Sequence, residues 1–131
     1  MRLIGIVDDD ADILEVYSVM LESLGRRYGY EIRTFTRSLD FIKFLELTEE
    51  RFEDVLLLAD INMPGMDGLS LLEFIHQSRP EIKVIMQSGI SEPSFLKRAF
   101  QAGASDYFIK PIDFRSLINR IEEKIEKNCF H

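Results

Sequence analysis

The stretch DINMPGMDG, residues 60–68, sets an aspartate directly behind the apolar run Val55-Leu56-Leu57-Leu58-Ala59. A carboxylate that closes a buried strand is costly unless it stays exposed at the strand end or meets a cation. The same pattern recurs along the chain. Asp8-Asp9-Asp10 follow the apolar segment RLIGIV at 2–7, Ser88 and Gly89 follow the segment 82–86, and Lys110-Pro111 follow 106–109. Three close carboxylates repel one another and raise their pKa values. A hard divalent cation relieves that repulsion. Magnesium takes oxygen ligands, keeps several waters and is commonly held by one or two carboxylates together with phosphate oxygens. An aspartate can attack phosphorus and carry the group as an acyl phosphate. Phosphoryl transfer depends mainly on positioning and charge neutralisation. Lys110 and Ser88 suit the remaining phosphate oxygens.

That chemistry requires Asp8, Asp9, Asp60, Ser88 and Lys110 to meet, and the hydrophobic pattern supplies a way. Short apolar segments at 2–7, 30–35, 54–59, 82–86 and 106–109 read as strands. Between and after them, apolar residues recur at helical spacing: Ile13 to Leu24, Leu39 to Leu47, Leu69 to Ile75, Phe95 to Phe100, and Phe114 to Ile125. Five strands alternating with five helices predict an α/β fold, a doubly wound (βα)5 three-layer sandwich with a parallel sheet covered on both faces. In such a sheet ligands bind beyond the carboxyl ends of the strands, which is where the five polar residues fall. The segment RRYGY at 26–30 lengthens the first helix or its exit loop. There is no internal repeat, low-complexity segment or long linker, so residues 1–131 read as one domain.

Composition narrows the function further. The chain has 131 residues, 46% hydrophobic and 30% charged, as an ordinary globular domain does. No apolar run approaches membrane-spanning length, and the N-terminus does not read as a signal peptide. A single cysteine, Cys129, excludes an internal disulfide and a cysteine zinc site and suits a reducing, cytoplasmic setting. The net charge of −7 argues against direct nucleic-acid binding.

VDD at 7–9, DINMPGMDG at 60–68, QSG at 87–89 and DYFIKP at 106–111 together resemble the receiver domain of two-component response regulators, of the single-domain, chemotaxis-regulator-like kind. Each motif is weak alone. The set is specific because the four occur in order, each at a strand end, across nearly the whole chain. The resemblance implies the flavodoxin-like form of this fold, with the strand order 2-1-3-4-5. It implies Asp60 as phospho-acceptor, and Asp8 and Asp9 as the acidic pair holding magnesium (or manganese), with Asp9 the favoured direct ligand. Asn62 would give its backbone carbonyl to the metal. Ser88 would hydrogen-bond the phosphoryl group and move toward it, Lys110 would pair with it, and Tyr107 would be the aromatic switch. A cis peptide at Lys110–Pro111 is a further expectation. The phosphoryl donor would be a sensor histidine kinase or a histidine phosphotransfer protein. Output would run through the face of the fourth helix, fifth strand and fifth helix, to which Phe95, Phe100, Tyr107 and Phe108 contribute, with the protein a monomer or a phosphorylation-dependent dimer.

Three departures from the family pattern are visible: a loop around Arg26-Arg27-Tyr28 a few residues longer than usual, Ala59 before the acceptor, and Ile90 two residues past Ser88. An apolar Ile90 cannot orient an attacking water, which implies a long-lived phosphoryl group. Plainer roles remain for single residues. Asp9 or Asp10 suits an N-cap, Asp67 suits the start of the third helix, and His76 suits a solvated helix face. An aspartyl phosphatase would carry a second aspartate where Asn62 stands. A flavin carrier would need a phosphate-cradling loop after the first strand, where three aspartates would repel phosphate. The remaining alternatives are a receiver excised from a longer transcriptional regulator and a docking module that works without phosphorylation.

Overall fold

A computed structural model describes residues 1–61, 68–89 and 93–129, with side chains of the last helix to residue 126. Along these residues run β1 (Arg2–Val7), α1 (Ala11–Tyr28), β2 (Tyr30–Phe35), α2 (Ser38–Leu47), β3 (Asp54–Asp60), α3 (Gly68–Ser78), β4 (Lys83–Ser88), α4 (Pro93–Gln101), β5 (Asp106–Ile109) and α5 (Phe114–Cys129). The strands form one parallel sheet in the order β2-β1-β3-β4-β5. Both the flavodoxin-like class and the order agree with the sequence reading.

Side chains alternate across the sheet with a period of two, and the alternation splits the core in two. Leu3, Val7, Leu57, Ala59, Val84 and Met86 face α2, α3 and α4, packing on Phe41, Leu71, Leu72, Ile75 and Ala99. Ile4, Ile6, Leu56, Leu58 and Ile85 face α1 and α5, packing on Leu14, Tyr17, Leu21, Leu117 and Ile121. The central strands are buried on both faces, so their sequences are continuous apolar runs. The same alternation sends Asp8, Asp60 and Gln87 toward the α1/α5 side and Ser88 toward the α2–α4 side. Among the described residues no helix is long and apolar enough to cross a membrane.

Of the two alternatives for residues 26–30 the structure takes the longer helix, and the end of β4 differs from expectation. Residues 26–28 are the last turn of α1, so the extra residues lengthen a helix and not a loop. The helix ends where Gly29 takes φ 77°, a left-handed conformation that glycine adopts without a Cβ clash. Arg26 and Arg27 sit in the last turn, where positive charge suits the helix dipole. Strand β4 runs on to Ser88, because Ser88 pairs with Ile109 and its carbonyl accepts the Lys110 N–H at 2.8 Å.

Candidate functional site

The acidic pocket is assembled at the carboxyl edge of the three central strands. Asp8 follows β1 and is 1% exposed; Asp60 ends β3 and is 4% exposed. The three aspartates after β1 divide their work. Asp8 turns inward, its Oδ1 accepting the Asp10 N–H at 3.0 Å. Asp9 is exposed. Asp10 is the N-cap of α1, its Oδ1 accepting from the N–H groups of Asp12 at 3.0 Å and Ile13 at 3.4 Å. The plain and the chemical readings of this run are thus both correct, for different residues.

Carboxylate oxygens of Asp8, Asp9 and Asp60 lie within 4.8 Å of one another. Lys110 reaches in from beyond β5, with Nζ 2.9 Å from Asp60 Oδ2 and 3.8 Å from Asp8 Oδ2. Burial pulls the Lys110 ammonium down, but the hydrogen bond and charge of Asp60 and the charges of Asp8 and Asp9 outweigh it, leaving its pKa above the ordinary lysine value. The Asp8 carboxyl is pushed up by burial, and further by Asp60 and Asp9; the Asp10 N–H and Lys110 oppose this without cancelling it. Asp8 Oδ2 is buried with no hydrogen-bond partner. A buried carboxylate oxygen left open, beside two more carboxylates, suits a hard cation with oxygen ligands. Asp8, Asp9 and Asp60 could therefore hold such an ion.

Ser88 is fully buried at the end of β4. Its side chain is hydrogen-bonded to the Tyr107 hydroxyl, whose pKa burial raises. Ser88 and Tyr107 therefore form a linked pair on the α4 side of the sheet, next to Asp60. The Lys110–Pro111 peptide is cis, in agreement with the expectation. Asn62, Asp67 and Ile90 lie outside the described residues.

Two features were not singled out in the sequence. Gly68 approaches the acceptor strand so closely that a Cβ would stand 2.3 Å from the Asp60 carbonyl oxygen and 2.6 Å from Ile61 Cα. Its N–H donates to the Ile61 carbonyl at 2.9 Å. The second glycine of the DINMPGMDG stretch thus seats α3 against the end of β3. Gln87, paired with Asp60 across the β3–β4 ladder, is fully buried, and its Oε1 accepts a hydrogen bond from Tyr17. A glutamine inside an otherwise apolar strand is the signal that could have found it.

The response regulator receiver domain family matches residues 4–122. The DNA-binding transcriptional regulator NtrC of Proteus hauseri is 38% identical over 93% of this chain and 24% of its own length. The chain spans between 19% and 28% of the length of the curated relatives it matches. Among solved structures, a CheY-like response regulator receiver domain protein of Methanospirillum hungatei is 35% identical with a TM-score of 0.82, covering 97% of this chain and 95% of that one. The BeF3-activated receiver domain of Thermotoga maritima DrrB is 31% identical with a TM-score of 0.80, covering 96% and 98%. These likenesses span the strands that carry the acidic pocket, Ser88 and Lys110, and the chain belongs to the response regulator receiver domain family of two-component systems.

Proposed function

We propose that this domain is a phosphorylation-activated switch whose acceptor is Asp60. The observation that carries the reading is the meeting of Asp60 with Lys110 at 2.9 Å inside a cluster of three carboxylates. A carboxylate oxygen of Asp60 attacks phosphorus, and the bond from phosphorus to its donor breaks. The electron pair leaves with the imidazole nitrogen of a phosphohistidine or the oxygen of a small acyl phosphate. Lys110 pairs with the developing charge, and Ser88 offers its hydroxyl to another phosphoryl oxygen. Asp8, Asp9, Asp60 and the Asn62 carbonyl would hold magnesium, which would supply neutralising charge there. Later hydrolysis resets the domain. Small displacements of Ser88 pass to Tyr107 through their shared hydrogen bond, and so to the surface of α4, β5 and α5 where a partner reads them. The histidine kinase or phosphotransfer protein and the output partner are those of the resemblance.

Residues 1–131 act as one receiver domain. The short span of this chain along its curated relatives favours a second arrangement, in which the same switch serves as the receiver of a longer transcriptional regulator. The test is intact mass after incubation with acetyl phosphate, with and without magnesium. A magnesium-dependent gain of one phosphoryl group, lost in Asp60→Asn, supports the reading. No gain with acetyl phosphate, nor with a phosphorylated histidine donor, overturns it in favour of a docking module.

A further inference from the structure

Helix α3 makes a close contact near each of its ends, and both involve a glycine. At its start, a Cβ on Gly68 would lie 2.3 Å from the Asp60 carbonyl oxygen and 2.8 Å from the Asp60 carbonyl carbon. Near its end, the His76 side chain lies on Gly103. A Cβ on Gly103 would stand 2.5 Å from Nδ1, 2.6 Å from Cγ and 3.0 Å from Cβ of the histidine. Because Cβ and Cγ take part, turning the imidazole about the bond between them leaves the contact in place. Between the two contacts Leu71, Leu72 and Ile75 anchor the helix in the core.

Each contact falls on a residue with a structural office. Gly68 touches the peptide of the proposed acceptor. Gly103 closes α4: it takes φ 112°, its N–H donates to the Phe100 carbonyl at 3.1 Å, and the Ala104 N–H donates to the Ala99 carbonyl at 3.0 Å. Such a cap favours glycine for its left-handed backbone angle. The chain then passes straight into β5, where the Ser105 N–H donates to the Val84 carbonyl at 2.8 Å and the strand begins at Asp106. The corner against His76 is therefore the joint between α4 and the strand that carries Tyr107. From Gly68 to His76 the helix rises about 12 Å, and hydrogen bonds between successive turns hold that length.

We infer that α3 is a second line from the acceptor to the output elements, a strut set on the Asp60 peptide by Gly68 and on the α4–β5 joint by His76. It runs beside the Ser88–Tyr107 hydrogen bond and does not use it. The inference rests on Asp60 being the phospho-acceptor. When the Asp60 side chain takes up a phosphoryl group, its peptide cannot shift toward Gly68 without moving α3, because no space separates them. His76 then passes the displacement to Gly103, and so to α4 and β5.

The test uses the full chain labelled with nitrogen-15, with magnesium and beryllofluoride as the phosphoryl mimic. The readout is the movement of the Gly103 and Ala104 amide resonances on adding beryllofluoride, each variant being compared with its own resting spectrum. In Tyr107→Phe, which removes the hydrogen bond to Ser88, the movement should persist. In His76→Ala it should shrink about 2-fold or more, while the Asp9 and Asp10 amides respond as in the parent. His76 lies on the exposed side of α3, and alanine is a good helix former, so this variant keeps the fold. His76→Phe, which retains a flat ring on the same Cβ and Cγ, should restore the movement. If His76→Ala moves Gly103 and Ala104 as far as the parent does, or Tyr107→Phe alone abolishes the movement, or His76→Phe restores nothing, the inference fails and the acceptor reading stands. If no pocket resonance of the parent responds to beryllofluoride and acetyl phosphate adds no mass, the acceptor reading fails and takes the inference with it.

Discussion

Lys110 is the only cation paired with Asp8 and Asp60 among the described ion pairs. From beyond β5 its long side chain reaches the ends of both β1 and β3, with Nζ 3.8 Å from Asp8 Oδ2 and 2.9 Å from Asp60 Oδ2. Removing a preplaced charge from a transfer site commonly lowers the rate about 10²-fold. Lys110→Met should therefore slow mass gain from acetyl phosphate by about 10²-fold, with Asp60 still the acceptor. Lys110→Arg should restore little, because the planar guanidinium fork does not reproduce a compact ammonium at 2.9 Å from one oxygen. The check is the rate of phosphoryl incorporation by intact mass. A Lys110→Met protein as fast as the parent would remove Lys110 from the transfer chemistry.

The elements hold these groups through features of different legibility. Asp10 shows how a neighbouring residue of the same type can serve the helix alone. Asp10→Ala removes an N-cap and should cost about 1 kcal/mol, read as a lower urea midpoint at unchanged slope. Asp10→Asn should keep most of that stability, and neither variant should alter phosphorylation. Gly68 works at the carboxyl end of β3, beside Asp60. Gly68→Ala must push apart backbone atoms 2.3 and 2.6 Å from the new Cβ, a strain of about 1–3 kcal/mol, and it should slow phosphorylation because Asp60 moves with its carbonyl. Asp8, Asp60 and Lys110 were legible in the sequence because each ends an apolar strand, and a doubly wound sheet brings strand ends together. Ser88 was legible as a polar residue but was expected beyond its strand, since only the pairing with Ile109 extends β4 that far. Tyr17 was indistinguishable from the core residues that share its helical spacing. Its bond to Gln87 spans 70 positions of sequence and depends on where α1 lies over β4. No local pattern encodes such a contact, nor the contact between Gly68 and Asp60, which depends on the turn that joins β3 to α3.

At the scale of the whole molecule, the acidic pocket ties stability to pH and to metal with opposite signs. Asp8 has a folded pKa raised above its usual 3.8, chiefly by burial. Below that usual value it is protonated in both folded and unfolded chains, and its contribution to stability is at its most favourable. As pH rises through the raised folded pKa that contribution is lost, because the fold must then hold an ionised, buried carboxylate. Lys110 acts in the same direction but only far on the alkaline side: its raised pKa contributes stability that is fully present below 10.5 and is lost as pH rises through the folded value. In chelator-treated protein, Asp8→Asn should therefore be more stable than the parent at neutral pH, and the gap should close in acid. Magnesium reverses the order. An ion bound only by the folded state at 100 times its dissociation constant adds about 2.7 kcal/mol. The gain requires ionised carboxylates, so it should be largest at neutral pH and fade as pH falls through the raised Asp8 pKa. Urea midpoints measured across pH for both proteins, with magnesium and with chelator, separate the two effects. If magnesium stabilised Asp8→Asn as much as the parent, the ion would bind elsewhere than the pocket formed by Asp8, Asp9 and Asp60.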